Sequence, residues 1–151
     1  GEEWSCHSAK FSADGDSLYC LIEPNTEHVY ELTEIGRFDW ADGTVAGGPD
    51  IITASFDRSV GDMAIGQNGR TVFFTANDAG RVRLFAVPAT GGPAKALDPE
   101  SRGVYAGPAV AGRDLVARWE SSATPAEIVR IDAQDSAEVA TGDTLFLVKP
   151  L

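Results

Sequence analysis

Two cysteines, two histidines and a single methionine among 151 residues leave little from which to build a metal centre or a disulfide framework. Basic residues are also scarce, with 12 Lys and Arg against 23 Asp and Glu and a net charge of −11. They are scattered without forming a patch, which argues against a nucleic-acid partner and leaves acidity as a solubility feature. No apolar run is long enough for a membrane-crossing helix, so no membrane partner is expected. No Gly-x-Ser-x-Gly elbow, clustered acids or phosphate-cradling loop occurs, so no catalytic residue, metal ligand or cofactor is assigned, and substrate-binding residues stay unknown. The chain opens on Gly1 and its only methionine is Met63, so the natural start is expected to lie upstream and targeting cannot be read.

What the sequence does hold is turns. Sixteen glycines and eight prolines punctuate a chain that is 43% apolar, which suits many short strands. The stretch from Asp62 to Gly92 shows the pattern most fully. Met63 to Ile65 leads into Asn68-Gly69, a dipeptide that accepts the positive φ of a tight turn. Thr71 to Ala76, rich in β-branched and aromatic residues, reads as a second strand. Asn77-Asp78-Ala79-Gly80 turns the chain into a third, Val82 to Val87, and Pro88 to Gly92 breaks it. The meander recurs. Phe11 to Tyr19 matches Ile65 to Phe73 with Gly15 on Gly69, and Val110 to Val116 is a shortened copy of the turn. The third strands are read as Val29 to Leu32, Leu84 to Val87 and Ile128 to Ile131. The intervals Leu18 to Tyr30, Val72 to Phe85 and Leu115 to Val129 are then 12, 13 and 14 positions. Repetition at roughly 40 to 55 residues with three or four strands per unit is the pattern of β-propeller blades. The expected fold is all-β: about three four-stranded antiparallel blades of a partial β-propeller, near 5–50, 51–97 and 98–143, with 144–151 as a strand entering a following domain.

Several residues invite chemistry and receive a plainer reading. Glu2-Glu3 could hold an ammonium, but two acids at a frayed end are ordinarily solvated. His7 begins the first strand. His28 occupies a position held by Arg83 and Glu127 in the other copies, which points to solvent. Asp14-Gly15-Asp16 hints at a calcium loop without the rest of the pattern, so turn geometry is preferred. Phe38 to Ile51 reads as a Gly- and Pro-rich loop, and Ile51 to Phe56 as a further strand. Asp57-Arg58 is expected to tie down a corner, with a ligand-facing role as the alternative. Lys95 to Leu97 is a short strand, and Asp98 to Gly107 a loop carrying Arg102 and Tyr105. Trp119, beside Arg118, is assigned to core or inter-blade packing rather than to a binding surface. Glu138 to Ala140 is expected to be the third blade's outer strand. Cys6 and Cys20 flank the first hairpin and could meet across it, with free thiols as the other reading. The compartment stays open, with the periplasm or secretion preferred to the cytoplasm.

The runs Phe-Asp-Arg-Ser-Val-Gly (56–61), Asn-Gly-Arg-Thr-Val-Phe-Phe-Thr-Ala-Asn-Asp (68–78), Arg-Leu-Phe-Ala-Val-Pro-Ala-Thr-Gly-Gly (83–92) and Thr-Pro-Ala-Glu-Ile-Val-Arg-Ile-Asp (124–132) resemble the propeller of prolyl-oligopeptidase-family serine peptidases, nearest the dipeptidyl aminopeptidase and acylaminoacyl peptidase branches. The resemblance spans about Phe11 to Ala133. It implies a propeller that caps an α/β-hydrolase domain and filters peptide substrates, with the catalytic Ser, Asp and His in that other domain. Leu145 to Pro150 resembles the strand that enters it. Function is therefore expected to be non-catalytic gating of a serine peptidase. The alternative is a stand-alone protein-binding or scaffold propeller. Because three blades cannot close a ring, the outer blades are expected to present apolar faces, through Leu18, Cys20, Tyr30 and Leu32 in the first and Leu115, Ala117, Val129 and Ile131 in the third. The expected partners are the missing hydrolase domain or a second copy of the chain, besides peptide substrate.

Overall fold

The computed structural model describes residues 4–26, 30–97 and 102–131, together with the backbone of 148–150. These form three four-stranded antiparallel sheets. The first contains β1 (Trp4–Phe11), β2 (Ser17–Pro24), β3 (Glu34–Ala41) and β4 (Thr44–Ile51) in sequential order. The second contains β5 (Val60–Ile65), β6 (Thr71–Asp78), β7 (Arg81–Pro88) and β8 (Lys95–Ala96). The third contains β9 (Val104–Ala111), β10 (Asp114–Glu120), β11 (Glu127–Ile131) and β12 (Val148–Pro150). This is the blade pattern expected from the repeats, and among the described residues the sheets do not close into a ring.

The turns that reveal the repeat in sequence are equivalent in space. In the first blade the Ser12 amide donates to the Ser17 carbonyl at 2.9 Å and Gly15 to Ser12 at 3.0 Å. In the second, Gly66 donates to Thr71 at 2.8 Å and Gly69 to Gly66 at 2.9 Å. Gly15 and Gly69 both adopt positive φ, +81° and +66°, which an L side chain resists. The β6 to β7 turn places Ala79 and Gly80 both at positive φ, the backbone of a type I′ hairpin.

The middle sheet explains the packing. All residues from Thr71 to Ala76 are buried, because β6 has a neighbouring sheet on each face. Val72, Phe74, Phe85 and Val87 point one way, into a cluster with Tyr19, Leu21, Ile35, Ile52 and Phe56. Phe73, Leu84 and Ala86 point the other way, joining Tyr105, Leu115, Ala117, Val129 and Ile131. Strand alternation thus divides consecutive residues between two cores. Each innermost strand also carries a register shift, between His7 and Lys10, between Val60 and Met63, and opposite Val116 to Arg118. Such bulges twist a strand and re-aim its side chains.

Several expectations need correction. Residues 104–107, expected within a loop, open β9, with Tyr105 opposite Trp119. The first blade's third strand is Glu34–Ala41, with Leu18 opposite Phe38 (20 positions on), and Tyr30 lies before it at 95% exposure. The turn between the first two strands sets nothing about the length of the next loop, which is free to grow at the surface. Phe38 to Ile51 is not a loop. It contains a hairpin whose Asp42-Gly43 turn has both residues at positive φ, and whose outer strand bears Gly47, Gly48 and Pro49 on an exposed edge, where a missing N–H costs no ladder bond. Residues 52–55 form turns, not a strand, with the Phe56 amide donating to Thr53 at 2.8 Å. Val148–Pro150, expected outside the repeat, is hydrogen-bonded to β11 as the third blade's outer strand, pairing Val129 with Pro150. Residues 138–140, expected in that role, lie outside the described residues.

Candidate functional site

The inner strands stand side by side, and their turns build a groove. It has a volume of about 300 Å³ and is lined by Phe11 and Ala13, by Ile65, Gly66 and Gln67, and by Val110 and Gly112. Phe11, Ile65 and Val110 are the same position in successive blades, each opposite the first apolar residue of its second strand: Leu18, Val72 and Leu115. The repeat itself therefore assembles an apolar floor. Gly112 is exposed, Gly66 is buried with its amide and carbonyl held in the turn, and Gln67 brings an amide able both to donate and to accept. Such a surface can hold a chain by apolar contact and through the Gln67 amide. It offers no nucleophile and no general base.

Polar side chains stitch the inner strands beside it. Lys10 Nζ on β1 donates to the Met63 carbonyl on β5 at 2.8 Å. Asp62 Oδ2 accepts from the Gly107 amide of β9 at 3.1 Å, while its own amide donates to Thr75 Oγ1 at 2.9 Å. Sequence reading missed both residues, since a lone Lys or Asp in a strand carries no local signal of a partner in another blade.

A second cluster sits at the opposite end of the middle blade. Arg58 bonds Asp57 at 2.7 Å, reaches Asp78 at 3.3 Å and lies 5.5 Å over the Phe56 ring. Asp78 also receives Arg83 at 3.3 Å. The corner Asp57-Arg58 is thus tied down as expected, through a carboxylate from the β6 to β7 hairpin. Arg83 is mostly buried, and its Nε finds no acceptor among the described residues. Asp78→Ala should lower stability by about 1–3 kcal/mol, because it leaves the Arg83 charge poorly matched. Urea denaturation measures this, and a midpoint unchanged from the parent would show that the clasp is solvent-screened.

The remaining candidates fall elsewhere. Asp14 Oδ1 accepts from Ser12 Oγ at 2.5 Å and from the Asp16 amide at 3.1 Å, so it shapes its turn. The Ser12 hydroxyl, followed by that amide, holds the Asp14 carboxyl below its ordinary value. His7 is exposed on β1, whereas His28 and Glu2-Glu3 lie outside the described residues. Trp119 packs against the second core and Tyr105 is buried in it, while Arg102 is exposed. Arg118 pairs with Glu120 at 2.8 Å. Cys6 and Cys20 form a disulfide. Among the described residues no group of three His, Cys, Asp or Glu is placed to hold a metal.

No protein-family model matches the sequence, and no curated protein matches it significantly. Solved structures do resemble it. The β-propeller domain of the trilobed protease from Pyrococcus furiosus, described as having an open velcro topology, aligns with a TM-score of 0.60 and 20% identity, over 95% of this chain and 41% of that one. TolB from Acinetobacter baumannii aligns at 0.67 and 16% identity, over 100% of this chain and 33% of that one. An acylaminoacyl peptidase from Pyrococcus horikoshii aligns at 0.60 and 21% identity, over 87% of this chain and 20% of that one. The chain therefore spans well under half of the proteins it resembles. These likenesses establish its fold as part of a β-propeller.

Proposed function

We propose that this chain is the non-catalytic propeller portion of a prolyl-oligopeptidase-type serine peptidase, shaping and gating the path of peptide substrates to a hydrolase domain outside this sequence. The observation that carries the reading is the likeness to peptidase propellers in a chain without a nucleophile elbow. The groove across the inner turns fits it, because Phe11, Ile65 and Val110 offer apolar contact to an extended peptide and carry no reactive group. The disulfide supports an oxidising compartment, either periplasmic or extracellular.

On this reading the isolated chain leaves dipeptidyl and acyl-aminoacyl chromogenic substrates uncleaved, because acyl transfer needs a base-activated serine. Turnover that survives repurification and vanishes with a serine-directed inhibitor would overturn it. The encoding gene supplies the positive test: a Gly-x-Ser-x-Gly hydrolase domain in the same reading frame is the expected result. A stop codon directly after Leu151 favours the second reading, a protein-binding scaffold propeller. That reading is supported by the likeness to TolB, which covers all of this chain and 33% of that one.

A further inference from the structure

The same turn is built around a carboxylate in the first blade and around an amide in the second. In the first, Asp14 Oδ1 accepts from the Asp16 amide at 3.1 Å, and the Gly15 amide donates to the Ser12 carbonyl at 3.0 Å. In the second, Asn68 Oδ1 accepts from the Arg70 amide at 3.0 Å, and the Gly69 amide donates to the Gly66 carbonyl at 2.9 Å. Both central glycines have positive φ. The side chain of Asn68 is thus folded back over the backbone that follows it, as in an Asx turn. Its Cγ is an electrophile, and the nitrogen of Gly69 is a nucleophile once its proton leaves.

Three features favour attack of one on the other. Gly69 has no Cβ, and nothing lies within 4 Å of where one would stand, so a five-membered ring has room to form. Asn68 is exposed, so water and hydroxide reach it. The Arg70 amide donates to Oδ1, the atom on which negative charge develops in the tetrahedral intermediate. Against these stands one turn bond, from Gly69 to Gly66, which must open before the nitrogen reacts. The other two asparagines lack this arrangement. Asn25 precedes Thr26, whose branched side chain crowds the amide, and Asn77 sits in the ladder of β6 with β7, opposite Val82. Asp14 has the geometry without the chemistry. Its carboxyl lies below its ordinary value and stays ionised, and a carboxylate repels a nucleophile and lacks a good leaving group.

We propose that Asn68-Gly69 is a self-modification site, at which the Gly69 nitrogen closes on Asn68 Cγ and converts the residue to isoaspartate and aspartate. Hydroxide removes the Gly69 proton, the N–Cγ bond forms, and the Cγ–Nδ2 bond breaks as Nδ2 takes up a proton and leaves as ammonia. Water then opens the cyclic imide at either carbonyl, with no oxidant or reductant involved. Opening at the main-chain carbonyl routes the backbone through Cβ and Cγ. That lengthens by one carbon the turn that carries Gly66 and Gln67 into the groove, and sets a negative charge beside them. The reaction needs no ligand, so it stands whatever the groove holds.

Incubation of the folded chain at mildly alkaline pH, followed by peptide mapping with isoaspartate detection, tests this. The peptide holding Asn68 should gain the mass of an amide-to-acid exchange at least about tenfold faster than those holding Asn25 or Asn77. In urea the rate at Asn68 should stay within about tenfold of the folded rate, because the turn holds the reacting groups close. Asn68→Asp, which places there the side chain that the first blade carries at Asp14, should keep the parent's circular dichroism and form isoaspartate at least about tenfold more slowly. Conversion at Asn25 or Asn77 that keeps pace with Asn68 overturns the proposal, and so does equal isoaspartate formation in the variant. An Asn68 that reacts in urea but stays intact in the folded chain also overturns it, by showing that the bond from Gly69 to Gly66 protects the site.

Discussion

Phe74→Ala should lower the unfolding free energy by about 3–5 kcal/mol, the largest effect expected of any single substitution considered for this chain. Phe74 is fully buried at the centre of the middle blade. Its ring stacks on Phe85 at 5.5 Å and meets Phe56 edge-on at 5.1 Å. Phe56 comes from the segment joining the first two blades, and Phe85 from β7, so one ring touches three parts of the chain. Truncation leaves a cavity walled by two sheets, whose backbones are held apart by their own ladders and relax only in part. Equilibrium urea unfolding by far-UV circular dichroism measures the loss. Ile128→Ala, at a half-exposed position, is the control and should stay within about 0.5 kcal/mol of the parent. A Phe74→Ala loss no larger than that would mean the blades do not pack through this cluster.

The second large effect is expected from removing the disulfide. Cys6 and Cys20 are 14 positions apart, and closing a loop of that size stabilises by about 3 kcal/mol in the chain-entropy account. Its location concentrates the consequence. Every residue of β1 from Ser5 to Phe11 is exposed, and β1 pairs only with β2, so few apolar contacts hold it. The double variant Cys6→Ala with Cys20→Ala should therefore lose stability and also exchange its β1 amides far faster than those of β6. Lys10, which bonds across to the Met63 carbonyl, should be released with the strand. Equal exchange in β1 with and without the disulfide would show that the bridge is not what holds the strand. A free-thiol assay on unfolded, unreduced protein should detect none.

Much of the blade pattern was legible in the residues. Gly15 and Gly69 stand in the same turn of successive blades, because a positive φ selects glycine wherever the turn recurs. The registers Phe74 with Phe85 and Ala117 with Val129 follow from short connections that leave little freedom. The first blade failed where its connection is long. Its true third strand includes Gly36, which reads as a breaker. At that position a Cβ would come within 2.7 Å of Ile22 Cδ1. The glycine there makes room for a buried neighbour on another strand, which no local pattern records. Asp42-Gly43 is a hairpin signal that the surrounding Gly and Pro content obscured.

Local chemistry along the chain determined the turns, the alternation within strands and the number of repeats, since each depends on one residue's φ or on its immediate neighbours. Only the tertiary structure decided which of two alternating faces meets which blade. Leu115, Ala117, Val129 and Ile131 lie inward because the middle sheet stands against them, whereas Phe11 on the first blade is left half exposed. It also decided the pairing of Lys10 with Met63, of Asp62 with Gly107, and of Arg58 and Arg83 with Asp78. A period of two states that a strand has two sides, but which side is buried depends on what packs against it, and that comes from residues far away in the chain.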